Sequence, residues 1–434
     1  MLLEALPKDS ALHFTAKKIT LTFDEYVQLD NSLQTNLIVS PNPDQMPYVT
    51  SHLKEVTIRL KDSLKPNTTY SINFGNTLKD VNEGNPYKNF TYVFSTGNTL
   101  ATGTLSGKVQ LAQTGTADST LIVILHNNLN DSAIKKIKPD YYTRLDSAGR
   151  FNFRFIASGI YAVYVLPNDY TKKYDDSTKM FAFLNEPVTI DSEEVPEPVM
   201  MYAYREYPEN KNAANSSENN ANTANKKKPV DTTKTIMLST NLQRGEQDLL
   251  TGLVISFQES LAKFDTSKIS LTDTFYHPVT NYTITADTSL KIFTLQYPWK
   301  ENEYFKLVVQ QNAFEDSAGK TLAKNDTLNF KTSSESEYGS IRLRFADLDL
   351  SRNPVLQFVQ NDKIVDSISL TQTELYRKLY KPGDYDLRIL YDEDKNLTWT
   401  PGNFELKKQP EIVIRIPRQL TIKQNWDNEV NINL

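Results

Sequence analysis

The sequence predicts an all-β protein of four tandem β-sandwiches in an A-B-linker-A′-B′ order. Three observations carry this. Apolar residues alternate with polar ones in short runs along the whole chain, the period that lets a strand bury one face and wet the other. Turn residues punctuate those runs evenly, with no ten-residue helical pattern among them. The second half of the chain then repeats the organisation of the first.

The alternation is clearest from Val56 to Gly97. Val56, Ile58 and Leu60 alternate with Thr57 and Arg59; Tyr70, Ile72 and Phe74 with Ser71 and Asn73; Phe90, Tyr92 and Phe94 with Thr91 and Val93. Between these runs lie Lys65-Pro66-Asn67 and the segment from Asp80 to Pro86, both rich in residues that turn a chain. With Ile19, Leu21, Phe23 and Leu37-Ile38-Val39 upstream, they predict one sandwich of six or seven strands over 1–98.

A second sandwich is expected over 101–207. Its landmarks are a continuous apolar run from Leu121 to Leu125, a strand-turn-strand from Tyr141 to Phe153, and the alternating Ile160 to Val165 after a Ser158-Gly159 turn. Residues 208–234 are mostly Asn, Ala, Ser, Glu and Lys without apolar period. Such a composition cannot offset its ordering entropy and predicts a flexible linker.

Beyond it, Leu253 to Phe257 echoes Ile19 to Phe23, Asp316-Ser317-Ala318-Gly319 stands where Asp80 to Gly84 stood, and Leu328 to Thr332 matches Val93 to Thr96. These place a third sandwich over 235–334. Gly339-Ser340-Ile341 and Pro382-Gly383-Asp384-Tyr385 parallel Ser106-Gly107-Lys108 and Ser158-Gly159-Ile160-Tyr161, placing a fourth over 338–434.

Composition excludes several function classes. At 434 residues and about 100 residues per all-β unit, the length accommodates four such units. A net charge of −5 argues against nucleic acid, whose binding needs clustered cations. Without cysteine there are no disulfides, thiolate metal sites or thiol nucleophiles. No apolar run approaches the ~20 residues of a membrane-spanning helix. The start, Met1-Leu2-Leu3 followed by Glu4 and Pro7-Lys8-Asp9, is not a signal peptide. The chain is expected either to stay in the cytosol or to have its export signal encoded upstream.

No catalytic or cofactor-binding constellation emerges, and the chain is read as non-enzymatic without a cofactor. His13, His52, His126 and His277 are scattered, none with a second ligand at metal spacing. There is no phosphate-cradling glycine loop and no nucleophile elbow. Paired carboxylates such as Asp175-Asp176 sit in turns. One weak metal candidate stands out: Asp392, Asp394 and Asn396 offer oxygens at positions 1, 3 and 5 of a calcium loop. Leu397 occupies its glycine position and Asn403 its glutamate position, so a polar hairpin turn is the competing reading. Tyr70, Tyr92, Tyr161 and Tyr385 fall at inward-facing strand positions. Trp299, Trp399 and Trp426 fall in turn regions, as plugs between domains or as interface anchors.

The run from Ile19 to Leu29, with Leu64-Lys65-Pro66-Asn67-Thr68-Thr69-Tyr70 and Phe94-Ser95-Thr96-Gly97, resembles the bacterial Ig-like domain of the surface-layer (SbsA-like) type, in particular that of Ig-like lipoproteins from Bacteroidota. The second and fourth segments, with Asp146-Ser147-Ala148-Gly149-Arg150-Phe151 and Pro382-Gly383-Asp384-Tyr385, resemble carboxypeptidase-regulatory-like or CnaB-type sandwiches. The lipobox cysteine of such lipoproteins is missing here. The resemblance implies a cell-envelope protein acting through protein–protein contacts, as an accessory lipoprotein subunit of an outer-membrane complex. It also implies a signal peptide and lipidated cysteine encoded upstream of Leu2. The alternatives are a surface glycan-binding protein, which needs exposed coplanar aromatic rings, and an accessory region of an enzyme. Asp-Ser followed by an aliphatic residue, as at Asp131-Ser132-Ala133 and Asp316-Ser317-Ala318, resembles an O-glycosylation acceptor of Bacteroidota envelope proteins, and Asp-Ser is equally a turn dipeptide.

Overall fold

The computed structural model describes residues 1–191, 193–206 and 235–434. The linker expected at 208–234 lies outside the described residues. The chain forms two compact units: Met1–Lys211 with Arg388–Arg415, and Asn212–Leu387 with Ile416–Leu434. Strands and turns dominate both, and each contains sheets built from the alternating runs.

The first unit opens with a four-stranded sheet, in the order Leu2–Leu6, Lys18–Phe23, Glu55–Arg59, Tyr48–His52. A three-stranded sheet, Ile38–Ser40, Thr69–Asn73, Thr91–Ser95, completes the sandwich. Ile19, Leu21, Val56 and Ile58 from one sheet and Ile72, Tyr92 and Phe94 from the other form one buried cluster, so the period-two residues do face inward. Tyr92 closes it with a phenol that donates to the Pro7 carbonyl at 2.8 Å. The outer strand Leu2–Leu6 is not marked by alternation, because it pairs on one side only and leaves Leu3 and Leu6 exposed.

Next come a three-stranded sheet, Arg150–Ile156, Gly103–Leu111, Val199–Ala203, and a larger one ordered Tyr141–Arg144, Leu121–His126, Gly159–Pro167, Ala182–Phe183, with Val188–Ile190 also on Gly159–Pro167. The strand Leu121–His126 is buried at every residue. Leu121, Val123 and Leu125 enter the cluster between the two sheets with Phe151, Phe153 and Tyr161. Ile122 and Ile124 point the other way, into a second apolar layer of Tyr142, Tyr164, Tyr174, Phe181, Phe183, Tyr204 and Phe404. A strand covered on both faces is why this run reads as continuously apolar.

Phe404 arrives from about 200 residues downstream in sequence, on the excursion between the strands Gly383–Tyr391 and Ile412–Ile422. Its ring centroid lies 5.1 Å from Phe181, 5.2 Å from Phe183 and 5.9 Å from Tyr164, all edge to face. Its N–H donates to Glu206 at 2.7 Å. Gly402 passes so near that an added Cβ would lie 2.7 Å from the Tyr204 ring. Lys135 pairs with Glu405 at 3.0 Å, Lys407 pairs with Asp131, and Gln409 donates to the Phe183 carbonyl at 3.1 Å. Farther on, the Val413 N–H bonds the Ala112 carbonyl at 2.9 Å. Arg388–Arg415, assigned by sequence to the last sandwich, therefore belongs to the first unit.

In the second unit, sheets ordered Ser239–Thr240, Leu253–Ser256, Ile292–Gln296, Thr283–Ala286 and Glu246–Gln247, Asp326–Thr332, Tyr304–Val309, Ile269–Thr272 share one buried cluster. After them the sequence repeat has a counterpart in sheet topology. Gly339–Ala346 lies between the antiparallel Glu374–Tyr380 and the parallel Asp427–Asn433. Gly103–Leu111 likewise lies between the antiparallel Arg150–Ile156 and the parallel Val199–Ala203. Tyr161 donates to the carbonyl four residues before it, Ala157, at 2.9 Å, and Tyr385 does the same to Lys381 at 3.0 Å.

Replacing Phe404 by Ala empties a filled aromatic site, so it is expected to destabilise the first unit by about 3–5 kcal/mol. Leu406→Ala, at a side chain 77% exposed, is expected to stay within about 0.5 kcal/mol. Urea unfolding of the full chain with each variant measures both; equal effects would contradict the packing described.

Candidate functional site

The polar loop singled out in the sequence lies in the first unit, at the base of the excursion that carries Phe404. Oxygens of Asp392, Asp394 and Glu411 come within 4.8 Å of one another. Asp392 and Glu411 are both buried, and Asp394 is exposed. Three carboxylates this close repel one another unless donors or a cation intervene.

Donors do intervene, all from the loop itself. Asp392 accepts the N–H groups of Asn396 at 3.1 Å and Leu397 at 2.8 Å. Glu411 accepts from Glu393 at 2.8 Å, Asp394 at 3.3 Å and Thr400 at 2.8 Å. Asp394 accepts the Thr400 hydroxyl at 2.7 Å. The indole of Trp399 closes the ring by donating to the Glu411 carbonyl at 2.8 Å. Burial pushes the Glu411 carboxyl up, against the pull of its three N–H donors.

This changes the membership of the predicted site. Asn396 turns its side-chain oxygen into its own turn, accepting the Thr398 N–H at 2.7 Å and hydroxyl at 2.6 Å. Glu411 stands beside Asp392 and Asp394 instead. Any cation here would be held by Asp392, Asp394 and Glu411. Leu397, at the position where a calcium loop needs glycine, takes the left-handed conformation at φ 63°, which a branched side chain adopts only under constraint. No spacing rule links Glu411 to a loop that begins nineteen residues earlier, and only its place at the foot of the next strand could have pointed to it.

The three tryptophans part company. Trp299 is buried among Tyr297, Phe305 and Phe330, and its indole donates to the Thr251 carbonyl at 3.1 Å. The expected interface anchor is a core residue, because the turn that carries it folds back over the sandwich. Trp399 packs on the aromatic layer that holds Phe404. Trp426 alone keeps most of its surface exposed, with the Lys423 ammonium 4.9 Å from its ring centroid.

The remaining polar signals act locally. Asp316 accepts the Ala318 N–H at 2.9 Å, so that Asp-Ser pair is built into a turn. His126 is buried beside Tyr164, its Nε2 without a partner, and burial lowers its pKa despite the opposing charge of Asp140.

Residues 2–96 match the model of the bacterial Ig-like domain. No curated protein matches the chain. Among solved structures, similarity is found to the N-terminal part of the bacterial S-layer protein SbsC, at 12% identity over 39% of this chain and 41% of that one, with a TM-score of 0.17. The Bacillus anthracis TIE protein is 9% identical over 100% of this chain and 74% of that one, with a TM-score of 0.17. BcpA, the major pilin subunit of Bacillus cereus, is 10% identical over 76% of this chain and 99% of that one, with a TM-score of 0.18. The chain thus spans 41% of the length of the first of these.

Asp392→Ala orphans the Leu397 N–H and leaves the Asn396 N–H only its longer bond to Asp394 at 3.3 Å, and should cost about 1–3 kcal/mol in denaturant unfolding. Calcium or a chelator should leave the melting temperature of the native chain unchanged, since the loop supplies its own donors; a shift of several degrees would show a cation at work.

His126 gives a pH dependence. Its folded pKa lies below its unfolded value of about 6.5, so the unfolded chain binds the extra proton. The stability it contributes is present above that value and is lost as pH falls below it. Denaturant midpoints measured from neutral pH down to about pH 5.5 should fall more steeply for the native chain than for His126→Leu. Parallel slopes would contradict this assignment.

Proposed function

We propose that the chain is a non-catalytic cell-envelope protein that works through protein–protein contacts, as an accessory lipoprotein subunit of an outer-membrane complex. The observation that carries this reading is the match of residues 2–96 to the bacterial Ig-like domain. The construction of the rest supports it. Three of the sandwiches have buried apolar clusters between their sheets, and aspartates such as Asp146, Asp316 and Asp392 hold turns. A lipid anchor near the first sandwich would hold the chain at the membrane, and Trp426 offers one exposed aromatic face to a partner.

One observation favours the glycan-binding alternative. In the second unit Phe275 and Tyr276 project from a turn whose N–H groups, at Phe275 and His277, are gathered by Asp273. Tyr304 is exposed as well. Against it, the Lys306 ammonium sits 3.8 Å from the Tyr276 ring centroid and covers a face that a sugar would need.

Cells expressing the full-length gene are to be fractionated, the membrane pellet extracted with mild detergent, and the chain purified with whatever accompanies it. The expected result is a lipid-modified chain in the membrane fraction with a stoichiometric protein partner. A soluble, unlipidated chain without a partner would contradict the proposal, and loss of retention on glycan beads in Phe275→Ala would favour the alternative.

A further inference from the structure

Among the described residues the two sheets of the last sandwich end in four edge strands, and three of them are defended. Lys363–Ser369 carries Lys363 and meets its neighbour through an irregular register at Phe358/Val359. Glu374–Tyr380 carries Arg377 and Lys378, with a register shift opposite Gly339/Ile341. Ile412–Ile422 is interrupted by Pro417 and followed at once by Arg418. Proline, cations and bulges are the usual means of keeping an edge from pairing with another chain.

The fourth edge has none of them. Asp427–Asn433 runs in unbroken parallel register with Ser340 to Ala346 for seven residues, and among the described residues it pairs with that strand alone. It holds no proline, lysine or arginine. Its two acidic groups are occupied within the chain: Asp427 accepts the Ser340 hydroxyl, and Glu429 meets Arg344 at 3.1 Å and Arg342 at 3.6 Å. Beside it the sandwich stays open as a groove of about 220 Å³, lined by Leu387, Ile416, Leu420, Val430 and Ile432.

We propose that this edge is a self-association site, pairing antiparallel with Asp427–Asn433 of a second copy about a two-fold axis at Val430. The sequence is self-complementary in that register. Val430 meets Val430, Asn428 meets Ile432, Glu429 meets Asn431 and Asp427 meets Asn433, so no like charges face each other and each carboxylate faces an amide that can donate to it. Asn428, Val430 and Ile432 lie on the inner face and Asp427, Glu429, Asn431 and Asn433 on the outer. Paired residues on antiparallel strands share a face, so the partner's Val430 side chain would come to lie over the open groove. The interface is isologous and closes on itself, as two-fold contacts do. It is also short, which implies a weak, concentration-dependent dimer. This inference does not depend on the envelope reading.

Sedimentation velocity on the full chain, from low to several hundred micromolar, is the test. A reversible monomer–dimer equilibrium is expected. Asn431→Glu with Asn433→Glu sets four like-charge pairs across the interface and should weaken the dimer roughly tenfold or more; Asn431→Lys with Asn433→Lys sets four opposite pairs and should tighten it. Both positions are exposed, and unchanged melting temperatures will show that the fold is intact. A chain monomeric at every concentration overturns the proposal, and so does a dimer indifferent to both charge changes.

Discussion

The first unit depends on one strand having two buried faces. Leu121–His126 gives three side chains to the core of its own sandwich and two to an aromatic layer outside it. An outward face of that kind is exposed apolar surface until something covers it. Arg388–Arg415 does so, with Phe404 at its centre and ion pairs and hydrogen bonds around the rim. Burying a phenylalanine contributes about 1.5–3 kcal/mol, whereas exposed ion pairs of this type contribute about 0–1 kcal/mol each. The ring therefore holds the segment and the charges set its register.

Carboxylates elsewhere serve the backbone. Asp146 accepts the N–H groups of Ala148 and Arg150, and Asp316 those of Ala318 and Lys320, in two turns of the same make. Gly149 completes the first at φ 77° and Gly319 the second at φ 76°. At Gly149 an added Cβ would also lie 2.3 Å from the Val109 carbonyl, so that position admits nothing larger. The backbone N–H of Arg150 and its side chain hold the Asp146 carboxyl below its usual range. Asp392 and Glu411 do the same work in a more buried loop. A chain rich in acidic residues can thus use several of them as turn fixtures.

Much of the architecture was legible because strand burial writes a period of two into the sequence. The inward positions of Ile72, Phe74, Tyr92 and Phe94 stem from it directly, whereas the echo between Gly103–Leu111 and Gly339–Ala346 was marked by glycine-bearing motifs, Ser106-Gly107-Lys108 and Gly339-Ser340-Ile341. The all-apolar run from Leu121 marked a buried strand, and the structure shows that both its faces are covered. What lay on its second face was not legible, because Phe404 sits in a polar, turn-rich stretch with no period of its own. The candidate site divided the same way. Asp392 and Asp394 showed themselves by spacing, whereas Glu411 joins them only through the return of the chain. Trp299 misled because a turn position in sequence does not say which way an indole folds.

If Leu121–His126 and the segment around Phe404 form one cooperative layer, they must open together. Native-state hydrogen exchange of the intact chain tests this most directly, by comparing the opening free energies of amides in 121–126 and 402–413. The two stretches are expected to exchange through a common opening and to respond together to low denaturant. Fast, independent exchange of 402–413 over a fully protected 121–126 would contradict it.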